Sequence, residues 1–359
     1  MIADGRFDRH LRLPGWDQAR LRAATIIVVG VGALGNAVAQ ALGLAGVGRL
    51  LLCDMDRIEA SNLSRAPLFT GADIGRLKVE AARDGLARIA PDTVVDIRAD
   101  RLEHGIGLAE LRAASLVMGC LDSRAARLAL AGRRGLAGAP WIDGATGPWS
   151  GEVRPYLAPE GPCYGCGLTP GERAADDALA QVRRGCGLPA EPDSAGATAP
   201  LSALVGNLMA LLALRHVMGL DVPPDLLELD GATGRSVPVR QRRDPHCPYH
   251  HRLPAARPLS LGPDPSVGDL CAGLPADAVP LAWTPFQLAV ACRRCGFRAE
   301  RPGRVAAADC PRCGARLHPR TSLELDRAPQ GAKLRTLGVP AAEILAVRRP
   351  AGLDYVELC

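Results

Sequence analysis

The stretch Thr25–Asn36 has the sequence TIIVVGVGALGN. Its apolar, β-branched first half is typical of a central parallel strand that is covered on both faces. The spacing of Gly30, Gly32 and Gly35 follows G-x-G-x-x-G, in which the backbone turns tightly and comes close to a ligand. Because the start of the following helix favours a phosphate, the stretch predicts a nucleotide-binding strand–turn–helix unit.

The next predicted strand, Leu50 to Cys53, ends at Asp54, which lies 19 residues beyond Gly35. An acidic side chain at this place can accept hydrogen bonds from ribose hydroxyls. The glycine motif and this acid would together suit a dinucleotide-binding domain for NAD(P). The motifs on either side of this unit favour a different nucleotide.

Five further motifs occur in order along the chain, and each carries charged or polar side chains. They are RFDR at 6–9, D-x-D at Asp54 and Asp56, SNLSR at 61–65, IGRLK at 74–78 and CLDSR at 120–124. With the glycine motif, they resemble the ThiF/MoeB/HesA family, the adenylating family to which ubiquitin-activating enzymes belong. The resemblance covers roughly residues 6–250. It implies ATP as the nucleotide and adenylation as the reaction.

The resemblance implies a Rossmann-like, doubly wound α/β fold with a mostly parallel sheet. It also implies that Arg65, Lys78 and Asp122 act in catalysis, with Asp122 as a magnesium ligand. Asp122 could instead cap the helix that starts near Ser123. The residues implied to bind ATP are Gly30, Gly32, Gly35, Asp54, Asp56, Asn62, Arg65 and Lys78. One departure is that Ala66-Pro67 follows the SNLSR arginine, where the family often has glutamine.

Residues 1–24 are predicted to be helical. In the family this segment crosses to the partner subunit, and an arginine at the position of Arg9 contacts the neighbour's ATP. The resemblance therefore implies a homodimer, with Arg9 neutralising charge on the phosphates. Arg6 or Arg12 could take this role if the register differs.

Composition is ordinary for a globular enzyme, with 48% hydrophobic residues, 23% charged residues and a net charge of +5. The mild basic excess does not argue for nucleic acid. The N-terminal residues lack the apolar segment of a signal peptide, and Leu201 to Leu220 is predicted to be a buried helix rather than a membrane span. We therefore expect a cytoplasmic protein.

Only Lys78 and Lys333 are lysines, so the lysine of the IGRLK motif is notable.

Cys163 and Cys166 form a C-x-x-C pair, and Cys247 and His250 are its predicted complement. Three thiolates and one imidazole make a closed tetrahedral zinc site. Both halves lie where the family carries its two C-x-x-C pairs, with His250 in place of the usual last cysteine. The alternatives are a redox dithiol at Cys163/Cys166 and His251 as the fourth ligand.

A second pair of C-x-x-C turns, each followed by glycine, predicts a zinc ribbon near the end of the chain. Its predicted ligands are Cys292, Cys295, Cys310 and Cys313. We therefore expect two zinc ions per chain. The expected organisation is an adenylation domain over 1–251, a linker over 252–280 and a zinc-ribbon domain over 281–359. A helix around 341–345 and a strand around 355–358 are predicted in the tail.

Cys186 is the cysteine available in the crossover region, where relatives carry a cysteine that attacks the acyl-adenylate or exchanges with sulfur. Neighbouring Arg183 and Arg184 could lower its pKa. Its sequence context differs from the family's, so a non-catalytic loop cysteine is the alternative.

The favoured function is adenylation of the C-terminal carboxylate of a small ubiquitin-like or sulfur-carrier protein, followed by transfer to a thiol. A peptide-tailoring or tRNA-modifying enzyme of the same superfamily is the second hypothesis. The third is a nucleotide-regulated nucleic-acid-binding protein that uses the basic ribbon, which carries Arg293, Arg294, Arg298 and Arg312. The complete set of ATP motifs argues against the third, and the ribbon lacks the aromatic platform that single strands need.

Overall fold

A computed structural model describes residues 4–174 and 196–359 of the chain. These residues form two compact units. The first contains 4–102, 111–167 and 196–251, and the second contains 103–110, 168–174 and 252–359.

An eight-stranded sheet organises the first unit, in the order β3-β2-β1-β4-β5-β6-β7-β8. The strands β1 to β5 run parallel, and β6 to β8 continue the sheet antiparallel. This confirms the predicted α/β class with a mostly parallel sheet. The strands are β1 Thr25–Val29, β2 Arg49–Cys53, β3 Val94–Arg98, β4 Leu116–Gly119, β5 Trp141–Thr146, β6 Ser150–Tyr156, β7 Leu226–Asp230 and β8 Arg235–Val239.

The strand β1 lies at the point where the strand order reverses, between β2 and β4. Val29, its last residue, pairs with Cys53 on one side and with Gly119 on the other. The residues that follow these three strands therefore meet at one edge of the sheet. Open α/β sheets bind their ligands at such a switch point.

Helices of the first unit pack on this sheet and on each other. At one crossing, a Cβ on Gly206 of α7 (Ala199–Val217) would lie only 2.7 Å from the Cβ of Ala37 in α2 (Ala33–Leu44), so glycine permits the close approach of the two helices. The helices up to this point in the chain are α1 Gln18–Ala23, α2 Ala33–Leu44, α3 Lys78–Ile89, α4 Leu102–Gly105, α5 Leu108–Ala113, α6 Arg124–Ala137 and α7 Ala199–Val217.

The segment 1–24 is less helical than predicted. In its described part, α1 is preceded by two short 3-10 turns, Asp4–Phe7 and His10–Arg12. Pro14 and Gly15 separate these turns from α1 and interrupt a continuous helix.

The helix α7 is long and apolar enough, by length and composition, to cross a membrane. Half of its most apolar window is nevertheless buried inside the protein. Val205, Met209 and Ala213 lie in the core of the first unit. The helix therefore packs as a core helix there, as predicted from its interrupting polar residues.

A six-stranded sheet forms the second unit, in the order β11-β10-β13-β14-β9, with β12 also paired to β10. Its elements are β9 Arg257–Leu259, α8 Val267–Ala272, β10 Val279–Ala291, β11 Arg298–Arg304, β12 His318–Glu324, β13 Ile344–Arg349 and β14 Gly352–Leu358. Its main core includes Phe286, Leu325, Leu345 and Val356.

Two features of the second unit differ from the sequence-based expectations. The range 252–280, expected to be a linker, contains β9 and α8, and Leu259, Val267 and Leu270 lie in the core. Their apolar side chains are too widely spaced in the sequence to show a periodic pattern. The helix predicted around 341–345 is wrong, because Ile344–Arg349 is a strand paired on both sides, while the strand predicted around 355–358 is confirmed as β14.

Candidate active site and metal centres

In the glycine turn between β1 and α2, two of the three motif positions leave no room for a side chain. Gly30 has a φ of +89°, and a Cβ on it would lie 2.3 Å from the carbonyl oxygen of Cys120. A Cβ on Gly35 would lie 2.0 Å from the carbonyl oxygen of Gly30. Gly32 is the N-cap of α2, and a Cβ there would meet open space. The turn therefore packs tightly against β4 on one side and leaves the helix start accessible on the other.

Asp54 is fixed at the end of β2 by backbone groups. Its Oδ2 accepts a hydrogen bond from the amide of Val31 at 2.7 Å, and its Oδ1 accepts one from the amide of Asp56 at 2.8 Å. Burial raises the pKa of Asp54 from its ordinary value, and the positive charge of Lys78 partly offsets this effect. The carboxylate therefore joins the glycine turn to the D-x-D motif.

Lys78, the first residue of α3, lies among three carboxylates. Its Nζ donates to Oδ2 of Asp56 at 2.8 Å, and its side chain is only 14% exposed. Burial acts to lower the pKa of Lys78, but the charges of Asp54, Asp56 and Asp122 outweigh it and raise that pKa. The ammonium group is thus kept charged, next to the turn where a phosphate would bind.

Asp122 is exposed at the carboxyl end of β4, and Ser123 rather than Asp122 caps α6. The Ser123 hydroxyl accepts a hydrogen bond from the amide of Ala126 at 3.3 Å. The capping role considered for Asp122 is therefore filled by its neighbour. The Asp122 carboxylate can then face a ligand at this edge of the sheet, where magnesium typically takes one or two carboxylates.

The SNLSR loop contains a 3-10 turn, Ala60–Ser64, and ends at Arg65. Asn62 closes this turn, because its Oδ1 accepts from the amide of Glu59 at 3.1 Å. Arg65 donates from Nη1 to the carbonyl oxygen of Ser61 at 2.7 Å. Both side chains are half-buried, so the loop presents them in a fixed conformation.

A cleft of about 380 Å³ opens beside Arg65. Small apolar residues form most of its wall, contributed by the start of α2, the loop around Arg65 and the start of α7. They include Ala33, Ala37, Ala66, Pro67 and Ala203. Ala66 and Pro67, the departure from the family pattern, therefore shape this cleft.

One predicted catalytic residue, Arg9, is not brought into this cluster by the described part of the chain. Arg9 is exposed, and within residues 4–174 and 196–359 no hydrogen bond or ion pair joins its side chain to the cluster. Arg6, considered as a substitute, instead donates from Nη2 to the carbonyl oxygen of Ile89 and pairs with Asp92. Cys186 lies outside the described residues.

The first cysteine cluster brings Cys163, Cys166, Cys247 and His250 together as predicted. Their ligand atoms all lie within 4.8 Å of one another. The sulfur of Cys163 is 3.8 Å from that of Cys166 and 3.6 Å from that of Cys247. Zinc bound tetrahedrally at about 2.3 Å separates two sulfurs by about 3.8 Å, so the residues present fit this ion.

The buried side chain of Arg134 lies next to this cluster. It is 2% exposed, and its Nη2 donates to the carbonyl oxygen of Tyr156 at 2.9 Å. Burial lowers its pKa, and the neighbouring Cys163 and Cys166 act in the opposite direction. A buried cation beside three thiols would offset the negative charge that three thiolates and a divalent ion carry.

The second cluster lies in two matching turns of the ribbon. Cys292 is 3.5 Å from Cys313, and Cys295 is 3.5 Å from Cys310, measured between sulfurs. Gly296 and Gly314, which follow the two pairs, have φ of +72° and +69°. The four sulfurs lie within 4.8 Å of one another, which also fits a tetrahedral zinc ion.

Sequence reasoning missed a buried polar network behind Asp122. Asp143 of β5 is completely buried between Arg127 and Arg154. Burial raises the pKa of Asp143 to about 6, although both arginines act to lower it. An aspartate inside the run WIDGAT is the one sequence signal that could have revealed this network.

Asn36 was also missed as a structural residue. It is completely buried, its Nδ2 donates to the carbonyl oxygens of Val31 and Gly32, and its Oδ1 accepts from the amide of Leu68. This side chain therefore connects the glycine turn to the segment that follows Arg65.

Comparison with known proteins identifies the family. The model of the ThiF family matches residues 7–249. The chain is 34% identical over 248 residues to a molybdopterin-synthase adenylyltransferase of Salmonella typhimurium, covering 67% of this chain and 94% of that protein. It is 33% identical over 265 residues to a sulfur carrier protein adenylyltransferase of Thermus thermophilus, covering 71% and 93%.

Solved structures agree on the fold. The structure of E. coli MccB with AMPCPP and MccA superposes with a TM-score of 0.55 and 20% identity, covering 68% of this chain and 74% of that chain. The ordered motifs, the sheet topology and these matches lead to one conclusion. The chain is an adenylyltransferase of the ThiF family.

Proposed function

We propose that this enzyme uses MgATP to adenylate the C-terminal carboxylate of a small ubiquitin-like or sulfur-carrier protein. The observation that carries the proposal is the position of Lys78 among Asp54, Asp56 and Asp122 beside the glycine turn. The names of the two bacterial relatives support the substrate class, because this chain spans 93–94% of their length.

In the proposed reaction, a carboxylate oxygen of the carrier attacks the α-phosphorus of ATP, and pyrophosphate leaves. Asp54 would bind the ribose, and the glycine turn would hold the phosphates at the start of α2. Lys78 and Arg65 would stabilise the negative charge that develops on the phosphate oxygens. Asn62 keeps the Arg65 loop in place through its bond to Glu59.

Magnesium fits the same site. Asp122 supplies an exposed carboxylate at the sheet edge, and Asp56 supplies a second one that is paired with Lys78. A magnesium ion bound there would neutralise phosphate charge and orient the leaving group.

A thiol would then attack the acyl carbon of the adenylate, so that the acyl group passes to sulfur and AMP leaves. Two acceptors fit this chemistry, Cys186 and an external sulfur donor. With Cys186 the acyl group would be transferred within the enzyme, and with an external donor sulfur would be delivered directly to the carrier. We assign the adenylation to residues 1–251 and a separate, non-catalytic role to the second unit, which contains the zinc-ribbon residues 281–359.

We also propose that the enzyme is a homodimer with shared sites, because its own Arg9 makes no contact with Lys78 or Asp122 within the described residues. Leu204 and Leu211 of α7, each 53% exposed, offer apolar surface for such an interface. Each chain would hold two structural zinc ions. We place the enzyme in the cytoplasm, because thiolate ligands need a reducing compartment.

The test is ATP–pyrophosphate exchange with the sulfur carrier protein of Thermus thermophilus as the substrate. Lys78→Ala should lower exchange at least 100-fold, a loss on the order of that for removing one charge-stabilising donor. Lys333→Ala is the matched control, because Lys333 is the second lysine of the chain and is exposed. Protection against thermal unfolding by NADH but not by ATP would refute the proposal.

A further inference from the structure

The positive charge of this protein is concentrated in one small part of the chain. Residues 292–320 contain eight arginines and two acidic residues, a net charge of +6, whereas the whole chain has a net charge of +5. The remainder of the chain is therefore close to neutral. A concentration of this kind repels itself, so it costs free energy unless a partner or ligand neutralises it.

Four of these arginines lie within or shortly after the two cysteine turns of the ribbon. Arg293 and Arg294 lie between the first two cysteines, Arg312 lies between the last two, and Arg298 begins β11. Because the four sulfurs lie within 4.8 Å of one another, the two turns are adjacent, and the three turn arginines share one end of the ribbon. We call Arg293, Arg294, Arg298 and Arg312 the arginine face.

All four side chains of the arginine face are exposed. None of them forms an ion pair within the described residues, in contrast to other arginines of the same unit. Arg316 pairs with Asp309 at 3.2 Å, and Arg335 pairs with Asp264 at 3.0 Å. The arginine face is therefore available to bind an anionic partner.

One contact orders this face. The Cζ atom of Arg312 lies 5.3 Å from the ring centroid of Phe297. This cation–π contact holds the guanidinium in place without neutralising it. A guanidinium that is already held in place loses less conformational entropy when it binds a carboxylate. It can contact that carboxylate with two parallel hydrogen bonds.

A protein partner fits this face better than a single-stranded nucleic acid. Phe297, the one aromatic residue of 292–320, is half-buried and covered by Arg312, so no free ring is available for stacking on bases. The proposed reaction also needs a protein substrate to be captured, and capture by complementary charge speeds encounter.

We propose that the arginine face binds an acidic surface on the folded body of the carrier protein whose C-terminus is adenylated. This inference rests on the proposed function, because the carrier is its partner. The metal site would hold the two turns together, and the four guanidinium groups would bind carboxylates on the carrier.

The experiment compares two double variants with equal changes in charge. Arg293→Glu/Arg294→Glu reverses half of the arginine face. Arg240→Glu/Arg242→Glu is the matched control, because both of its arginines are exposed and belong to the first unit. Equal zinc content in the two variants would show that the ribbon stays folded.

Two substrates are used with the full-length protein in ATP–pyrophosphate exchange and in direct titration. They are the sulfur carrier protein of Thermus thermophilus and a ten-residue peptide with its C-terminal sequence. At 50 mM salt, the ribbon variant should raise KM and Kd for the carrier at least tenfold, with little change in kcat. The control variant should change neither constant, and the peptide should have the same KM with all three proteins.

Two results would overturn the inference. One is a carrier that fails to bind the unmodified protein or binds the ribbon variant equally well. The other is submicromolar binding of a 20-nucleotide single strand or duplex at 150 mM salt that the ribbon variant loses, since this would make the face a nucleic-acid surface. If the carrier binds through the arginine face but no protein exchanges pyrophosphate, the docking inference stands and the proposed function fails.

Discussion

The carboxylate of Asp143 lies 3.3 Å from Nε of Arg127, and the Asp143 side chain is completely buried. Arg127 in turn donates from Nη2 to the carbonyl oxygen of Leu121 at 2.5 Å. This carbonyl belongs to the peptide directly before Asp122. The buried ion pair therefore holds the loop that carries the proposed magnesium ligand.

Asp143→Asn is expected to reduce kcat for pyrophosphate exchange about tenfold while changing KM for ATP little. The amide keeps the shape of the side chain but loses the charge that orients Arg127, so Asp122 is less well positioned in the transition state. Asp96→Asn is the control, because Asp96 forms an exposed ion pair with Arg49. An unchanged kcat would mean that the buried pair serves folding alone.

The Asp143 carboxylate should make a contribution to the free energy of unfolding that increases as pH falls. Burial raises the pKa of Asp143 to about 6 from an ordinary value of 3.8. Between these two values the folded chain binds the proton and the unfolded chain does not, so the contribution of Asp143 to stability rises as pH falls through 6 and is lost as pH rises.

The raised pKa of Asp143 changes the free energy of unfolding by about 3 kcal/mol in total, of which about 1 kcal/mol appears between pH 7 and pH 5. Urea unfolding of the unmodified protein and of Asp143→Asn at both pH values measures this contribution. The other carboxylates are common to the two proteins, so their contributions cancel in the difference between the two unfolding free energies. A difference in unfolding free energy that stays constant with pH would contradict the raised pKa.

Much of the fold and site could be predicted because the decisive residues lie in short, local patterns. Gly35 is required by a backbone contact with Gly30 within the strand–turn–helix unit itself, and the turn gives Gly30 a positive φ that favours glycine. Lys78 approaches Asp56 because both belong to the segment that runs from the end of β2 to the start of α3, where the Lys78 amide also donates to the carbonyl oxygen of Asp56 at 2.9 Å. Such features follow from a motif and its fold.

The features that could not be predicted depend on contacts between distant parts of the chain. Asp143 is an acid within an apolar strand, and only the packing of Arg127 and Arg154 around it reveals its role. The segment Ile344–Arg349 has no pattern that separates a short helix from a strand, and its pairing with β10 and β14 decides the outcome.

The proposed homodimer with shared active sites predicts complementation between two inactive variants. Arg9→Ala should be inactive because the ATP phosphates in the partner subunit's site lose a positive charge. Lys78→Ala should be inactive because the ATP phosphates in its own site lose one. A mixed dimer contains one intact site, composed of Lys78 from one chain and Arg9 from the other. Random mixing of equal amounts should therefore restore about one quarter of the normal pyrophosphate exchange.

The measurement mixes the two purified variants under conditions that allow subunit exchange and follows activity with time. Mixing each variant with itself is the control. Absence of any recovery, with mixed dimers confirmed by mass, would place Arg9 in the same subunit's site or outside catalysis.

Cys186 can be assigned by separating the two half-reactions. Cys186→Ala should leave pyrophosphate exchange unchanged, because adenylation needs no thiol. If Cys186 is the acceptor, a thioester-linked carrier that an added thiol releases by exchange should form on the unmodified enzyme and be absent from the variant. Cys271→Ala serves as the control, since Cys271 belongs to neither metal cluster. Absence of a thioester from the unmodified enzyme would leave the external sulfur donor as the acceptor, whereas an equal yield from the Cys186 variant would assign the thioester to another cysteine of the enzyme.

The two cysteine clusters predict two zinc ions that can be removed independently. The ribbon has a small core of its own, whose buried members are Val290, Cys292, Cys310 and Leu317. Half of these are proposed metal ligands, so the ribbon should unfold when its ion is removed. The first cluster instead lies in a unit whose large core contains Val28, Leu50 and Met118, which should keep its fold without the ion.

Elemental analysis of the purified protein should give two zinc ions per chain, and both His250→Ala and Cys310→Ser should give one. Limited proteolysis should then cut within 292–317 in Cys310→Ser but not in His250→Ala, because only the ribbon depends on its metal for its core. Cys53→Ser, a buried cysteine outside both clusters, should keep both ions. Loss of both ions from either ligand variant would show that the two sites are not independent and that the metal of one unit supports the fold of the other.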